Sequence, residues 1–169
     1  MRLKLILILL LNFIYQEGNS ELIKIRNLYE QSVVKEESHL KLTVLLLTNK
    51  SENTLLIGYK AANIMIGANY VFNPITKWNK FNKGKKLLEL AIEKEPNGIE
   101  IRYIRFTIQT NLPKFLRYSS HLNRDKEFLI NQLALMSDKD LRTRIVTYLL
   151  SSNRCNEVEL KKIELWKNK

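Results

Sequence analysis

The residues best suited to chemistry are few. His39 and His121 are the only histidines, and Cys155 is the only cysteine. Glu36 with His39, and His121 with Asp125, are spaced so that two ligands could share one helix face. A metal centre needs three or four ligands, so each isolated pair is read instead as surface residues near a helix start. Ser119-Ser120-His121 lacks the flanking glycines of a nucleophile elbow. No two glycines stand close enough for a phosphate loop. Cys155 has no neighbouring histidine that would mark a nucleophile, and a lone cysteine is expected to pack as a small hydrophobe. The expectation is a protein with no catalytic motif, no cofactor and no metal site.

A second group of residues is basic and aromatic. Lys77, Trp78, Lys80 and Phe81 stand together, and Lys114, Arg117 and Tyr118 form a further run. Arg102 and Arg105 lie three apart and Gln109 follows four later, so all three can project from one helix face. An arginine there can hold a carboxylate or a phosphate through two parallel hydrogen bonds. The competing reading makes Trp78 and Phe81 core residues and leaves the cations as a solvating face. The formal net charge of +11 favours an acidic partner: the acidic face of a protein, or the anionic lipids and polymers of a cell envelope.

The first twenty residues bear on location. Arg2 and Lys4 open an apolar run that reaches Tyr15, and Gly18 and Ser20 are small residues two apart. That is the pattern of a secretory signal cleaved after Ser20, and the run is too short to span a bilayer comfortably. The alternative is an uncleaved N-terminal anchor. Cleavage would remove Arg2, Lys4 and Glu17 and lower the net charge from +11 to +10. The expected location is the periplasm or cell envelope, where nucleic acid is scarce. With one cysteine no internal disulfide can form, so packing must stabilise the exported domain.

The elements that would position these residues are helices. A chain of 169 residues with 5 Gly and 3 Pro suits one domain of long helices joined by short turns. Residues 21–152 are read as that domain, and 153–169 as a tail or short helix. Ser20 is expected to cap a helix to about Lys35, Ser38 one to Thr48, and Ser51 one to Tyr70. The small residues Gly58, Ala61, Ala62, Gly67 and Ala68 in the third predict a closely approaching backbone. Pro74 breaks the chain, Thr76 is expected to cap a helix to Glu95, and Pro96-Asn97-Gly98 ends it. Ile99 to Thr110 alternates apolar and polar residues like a strand, then slips phase; with no partner strand in sight it is read as a helix. Two more helices follow, to Met136 and to Ser151, the second opened by a variant capping box at Ser137 to Asp140.

The stretch from Asn82 to Gln109 resembles the tetratricopeptide repeat. Gly84, Leu88, Ala91 and Pro96 fall at the spacing of that family's second-helix small residue, aromatic, alanine and closing proline, and Ile57-Gly58 resembles the Leu-Gly pair of a first helix. The resemblance covers a sixth to a third of the chain. It departs at Leu88, at Arg102 and Arg105 where a Trp and a Leu are usual, and in the 14 extra residues between Gly58 and Gly84, filled by Val71 to Lys80. The whole chain also resembles small exported helical proteins of Bacteroidota-type bacteria, a resemblance that transfers no functional residue. Two folds remain open: a tetratricopeptide-like stack of αα-hairpins or a bespoke helical bundle. In repeat scaffolds the first helices line a concave groove, so the resemblance places Arg102, Arg105 and Gln109 there. The function expected is a non-catalytic interaction or scaffolding module. A polyanion or membrane-surface binder is the first alternative, and an enzyme without a recognisable motif the second.

Overall fold

Asn and Asp side chains set most of the helix starts by accepting from backbone amides that have no partner within the helix. Asn53 accepts from Leu55, Asn73 from Ile75 and Thr76, Asp138 from Leu141, and Asn156 closes a capping box with Glu159. The computed structural model describes residues 20–49 and 53–167. It is all-α, with no strand among the described residues. The helices are α1 (20–32), α2 (Glu36–Thr48), α3 (Thr54–Ile66), α4 (Pro74–Lys94), α5 (Ile99–Asn111), α6 (Leu122–Gln132), α7 (Lys139–Ser151) and α8 (Glu157–Glu164). A single 3-10 turn, Lys114–Leu116, links α5 to α6.

Consecutive helices pair as hairpins, and the hairpins stack. α3 packs on α4, α5 on α6 and α7 on α8, while α3, α5 and α7 also touch in series as an inner row. This arrangement is compatible with a helical repeat. Two apolar clusters form, one among α1 to α5 and one among α5 to α8. α5 serves both: Ile101, Ile104 and Ile108 enter the first cluster, Tyr103 and Phe106 the second. Burial on both sides explains why its sequence shows no single clean stripe.

Several expected boundaries shift. The signal-like residues 1–19, and Ser51 and Glu52, lie outside the described residues. α2 starts three residues before His39, so Ser38 is a buried residue within the helix and not its cap. Asn73, not Thr76, caps α4, and Pro74 occupies its first turn, where a missing N–H costs nothing. Asp138 alone caps α7, because Asp140 turns to Arg26 and Arg144. Leu40, Val44 and Leu47 of α2 face outward, while Leu42 and Leu46 enter the core and half-buried Leu45 packs against it. The C-terminal segment forms α8, anchored by the fully buried Ile163.

The predicted close approach is real, and Gly84 makes it. A Cβ there would stand 2.5 Å from Met65 Cγ and 2.6 Å from the Ala61 carbonyl oxygen. α4 therefore lies directly against α3 over Ala61 and Met65.

α1 is held across the inner row by Arg26, whose side chain is 2% exposed. Its Nε and Nη2 donate to the two oxygens of Glu100 on α5, each at 2.7 Å. Its remaining donors reach Asp138 (2.7 Å) and Asp140 (2.8 Å) at the start of α7. Tyr59 on α3 donates to Glu100 at 2.5 Å, so one cation ties four helices. Burial pushes the Asp138 and Asp140 carboxyls up, but the arginines beside them outweigh it and hold both below the usual carboxylate range. Their contribution to stability is thus complete above that range and fades as pH falls through the lowered values.

Two substitutions test these contacts. Gly84→Ala should lower stability by about 1–3 kcal/mol in chemical denaturation, since the Ala61 backbone cannot yield to the new methyl. Arg26→Met should cost about 3–5 kcal/mol by stranding Glu100, and adding Glu100→Leu should recover part of that loss.

Candidate functional site

A cleft of about 490 Å³ opens between the last turns of α1, α3 and α5 and the face of α7. Val33 and Val34 end α1 on one wall; Met65, Ile66 and Asn69 form a second; Ile108, Leu112 and Pro113 form a third. Tyr29, Tyr103, Thr107, Asn111 and Tyr148 make its floor. A shallower recess of about 320 Å³ shares Glu30, Tyr103 and Tyr148 and continues along α7 past Thr143, Thr147 and Ser151. The two form one groove along the side of the inner row that α1 leaves open.

The floor is polar but internally satisfied. Thr107 Oγ1 donates to the Ile104 carbonyl at 2.8 Å, which leaves it to accept from the Tyr29 hydroxyl at 2.7 Å. Asn111 Nδ2 donates to the Tyr148 hydroxyl at 2.7 Å and to the Thr107 carbonyl at 2.8 Å. The Tyr148 ring meets Tyr103 and Phe106 edge to face, at 5.9 and 5.8 Å between centroids. Burial pushes the Tyr29, Tyr103 and Tyr148 hydroxyls above their ordinary range, so they remain neutral. Glu30 and Arg144 pair at 2.7 Å on the rim. A groove of apolar walls, neutral hydroxyls and a compensated ion pair suits binding of an apolar segment.

The residues singled out from sequence divide between two other places. Arg105 is 1% exposed and does not line the groove. Its Nε and Nη2 hold Asp125 of α6 at 2.6 and 2.9 Å, and its Nη1 holds Glu89 of α4 at 2.7 Å. Arg102 lies over the Phe128 ring at 4.0 Å, with Nε 3.2 Å from Asp125. Tyr118 is buried and donates to Glu89. Gln109 is 2% exposed, and its amide makes no properly aligned hydrogen bond, although it lies close enough to bear on the Tyr118 hydroxyl. These four residues, expected to meet a ligand, converge on an internal polar cluster that stitches α4, α5 and α6. Phe81 packs edge-on against Tyr118 at 6.1 Å and is core. Lys77, Trp78 and Arg117 are exposed and Lys80 is half-buried, at one end of the molecule.

The remaining reactive groups are occupied. His39 Nδ1 bonds to Asn63 at 2.7 Å and its ring stacks on Tyr70. His121 is held below its ordinary range by burial and then by Arg105, and contacts Arg124 at 2.8 Å. Asp125, the partner in the His121 pair, is committed to Arg105, and no three ligating residues gather among the described residues. The Cys155 thiol packs against the second cluster, and burial pushes its pKa up.

The groove residues were missed because each is unremarkable alone. Their signal is the polar row Tyr103, Thr107 and Asn111 at four-residue spacing along α5. Compared with protein-family models, curated proteins and solved structures, the chain matches none.

Gln109 separates a structural from a ligand-binding role for the internal cluster. Gln109→Leu should raise stability by about 1 kcal/mol or more in urea denaturation, because a buried amide without partners carries a desolvation cost. A loss of stability would mean the amide is engaged.

Proposed function

We propose that this protein is a non-catalytic interaction module, exported to the periplasm or cell envelope, built on a tetratricopeptide-like stack of hairpins. The groove between α1, α3, α5 and α7 carries this reading, because it runs along the inner row of helices where such stacks take their ligands. Gly84 at the tight crossing of α3 and α4, fully buried Ala91 and Leu88, and Pro96 closing α4 also support the repeat reading. The partner is a protein offering an apolar or aromatic segment to the groove, with an acidic flank that meets the surplus cations. The signal-like N-terminus supports export.

Asn69 is exposed and lines the groove. Asn69→Trp should therefore fill the opening without disturbing the fold. In capture from native cell envelope followed by a salt gradient, the unaltered protein should retain one discrete partner at high salt. The variant, with unchanged thermal stability, should hold it about tenfold more weakly. Equal retention by Asn69→Trp, or release of a broad mixture at modest salt, would remove the groove as the binding surface.

A further inference from the structure

We propose that one end of the bundle is a docking surface for an anionic lipid membrane, a role that goes beyond the protein-binding groove and stands without it. This end gathers the α1–α2 turn, the α3–α4 connection and the Lys114–Leu116 turn. Glu21 and Asn49, joined at 3.3 Å, mark the opposite end, where α1 starts and α2 stops.

α4 has 21 residues against 13 in its partner α3, and its first buried residue is Phe81. Its first two turns, roughly 10 Å at 1.5 Å per residue, therefore stand clear of the bundle. They are nevertheless well built. Asn73 accepts from Ile75 at 2.9 Å and from Thr76 at 3.1 Å, and Pro74 presets the first turn. Local capping holds a helix here that no packing requires. These turns expose large apolar side chains, Ile75 at 71% and Trp78 at 52%, and Phe72, just before the cap, is 100% exposed. Ile75 and Trp78, three apart, share a face.

The neighbouring turn repeats the chemistry. Phe115 is 79% exposed, between Lys114 and Arg117. Tyr118 joins this turn to α4 by packing on Phe81, which lies 6.1 Å from Trp78, and Lys85 Nζ sits 4.9 Å from the Tyr118 ring. Lys77, Lys80 and Lys83 flank the aromatic tip. Of the acidic groups around this end, Glu89 is spent on Arg105 and Tyr118 and Glu37 pairs with Lys41, while Glu36 lies near Tyr70 at the start of α2.

Scattered exposed hydrophobics carry no meaning. Aromatic residues at the tips of two cation-flanked projections do, because an indole or phenyl ring settles at headgroup depth while lysine and arginine reach lipid phosphates. The projections are convex. A protein partner binds best where anchors fill pockets, whereas a bilayer accepts a protruding tip without a matching cavity. None of the described helices is long and apolar enough to cross a membrane, so the contact would be peripheral.

The test uses the full chain carrying Trp166→Phe, which leaves Trp78 as the only tryptophan. Vesicles of phosphatidylcholine alone, and with phosphatidylglycerol added, are titrated in. Trp78 emission should move to shorter wavelength only with the anionic vesicles, and the effect should fade between about 50 and about 500 mM salt. Phe72→Ser with Phe115→Ser should weaken binding about tenfold, and both sites are exposed enough to spare the fold. Binding with unshifted Trp78 emission would overturn the proposal, since attachment would then run through the opposite end or through diffuse charge. So would full binding by the double variant, an equal shift with neutral vesicles, or no binding.

Discussion

Everything on the inner side of this molecule depends on a single guanidinium. Arg26 is removed from water and each of its three nitrogens is met: Glu100 takes two N–H donors, and Asp138 and Asp140 take one each. Such a buried cluster adds little net stability over an apolar equivalent, but it is highly selective about geometry. It accepts one depth and one angle for α1. Because α1 is fixed there, it covers part of the inner row and leaves the rest as the groove. Tyr59, donating to Glu100, extends the same constraint to α3.

Arg105 does for the other side what Arg26 does for the inner one. It draws Asp125 of α6 and Glu89 of α4 onto α5, and Tyr118 closes the cluster by donating to Glu89. α5 thus sits between two arginine-centred sites and two apolar clusters. Nine of its thirteen residues are buried, more than in any other helix whose residues are described in full. This explains the departure of Arg102 and Arg105 from the apolar residues of the repeat pattern: the helix–helix seam there is ionic.

The helices were legible because their apolar spacing and breakers are local properties. Asn73-Pro74 and Pro96-Asn97-Gly98 stop and start helices whatever lies around them. α5 could be read as a helix only by elimination, since burial on two sides erases the amphipathic stripe that identifies a helix. The caps at Asn73 and Asp138 were displaced by a few residues because several Ser, Thr, Asn and Asp side chains compete near each start. The candidate site was mostly illegible. A cation three residues from another looks the same whether it faces a ligand or a buried carboxylate twenty residues on, and only the fold brings Asp125 to Arg105. Trp78 and Phe81 show the converse, for neighbours on one helix end up outside and inside because α4 outruns α3. The segment Val71 to Lys80, which interrupts the repeat-like spacing, includes the residues that build that overhang.

The Arg26 site also orders events in time. Its acidic partners lie 74, 112 and 114 residues further along the chain. A polypeptide made, or threaded through a pore, from its N-terminus presents α1 long before α7 exists. The hairpins of the middle can collapse on local contacts, and Ile25 and Tyr29 of α1 can join the first apolar cluster, but two of the donors of Arg26 have no acceptor until Asp138 and Asp140 arrive. Completion of the ion cluster therefore needs nearly the whole chain, so the last contacts of α1 join the two ends of the sequence.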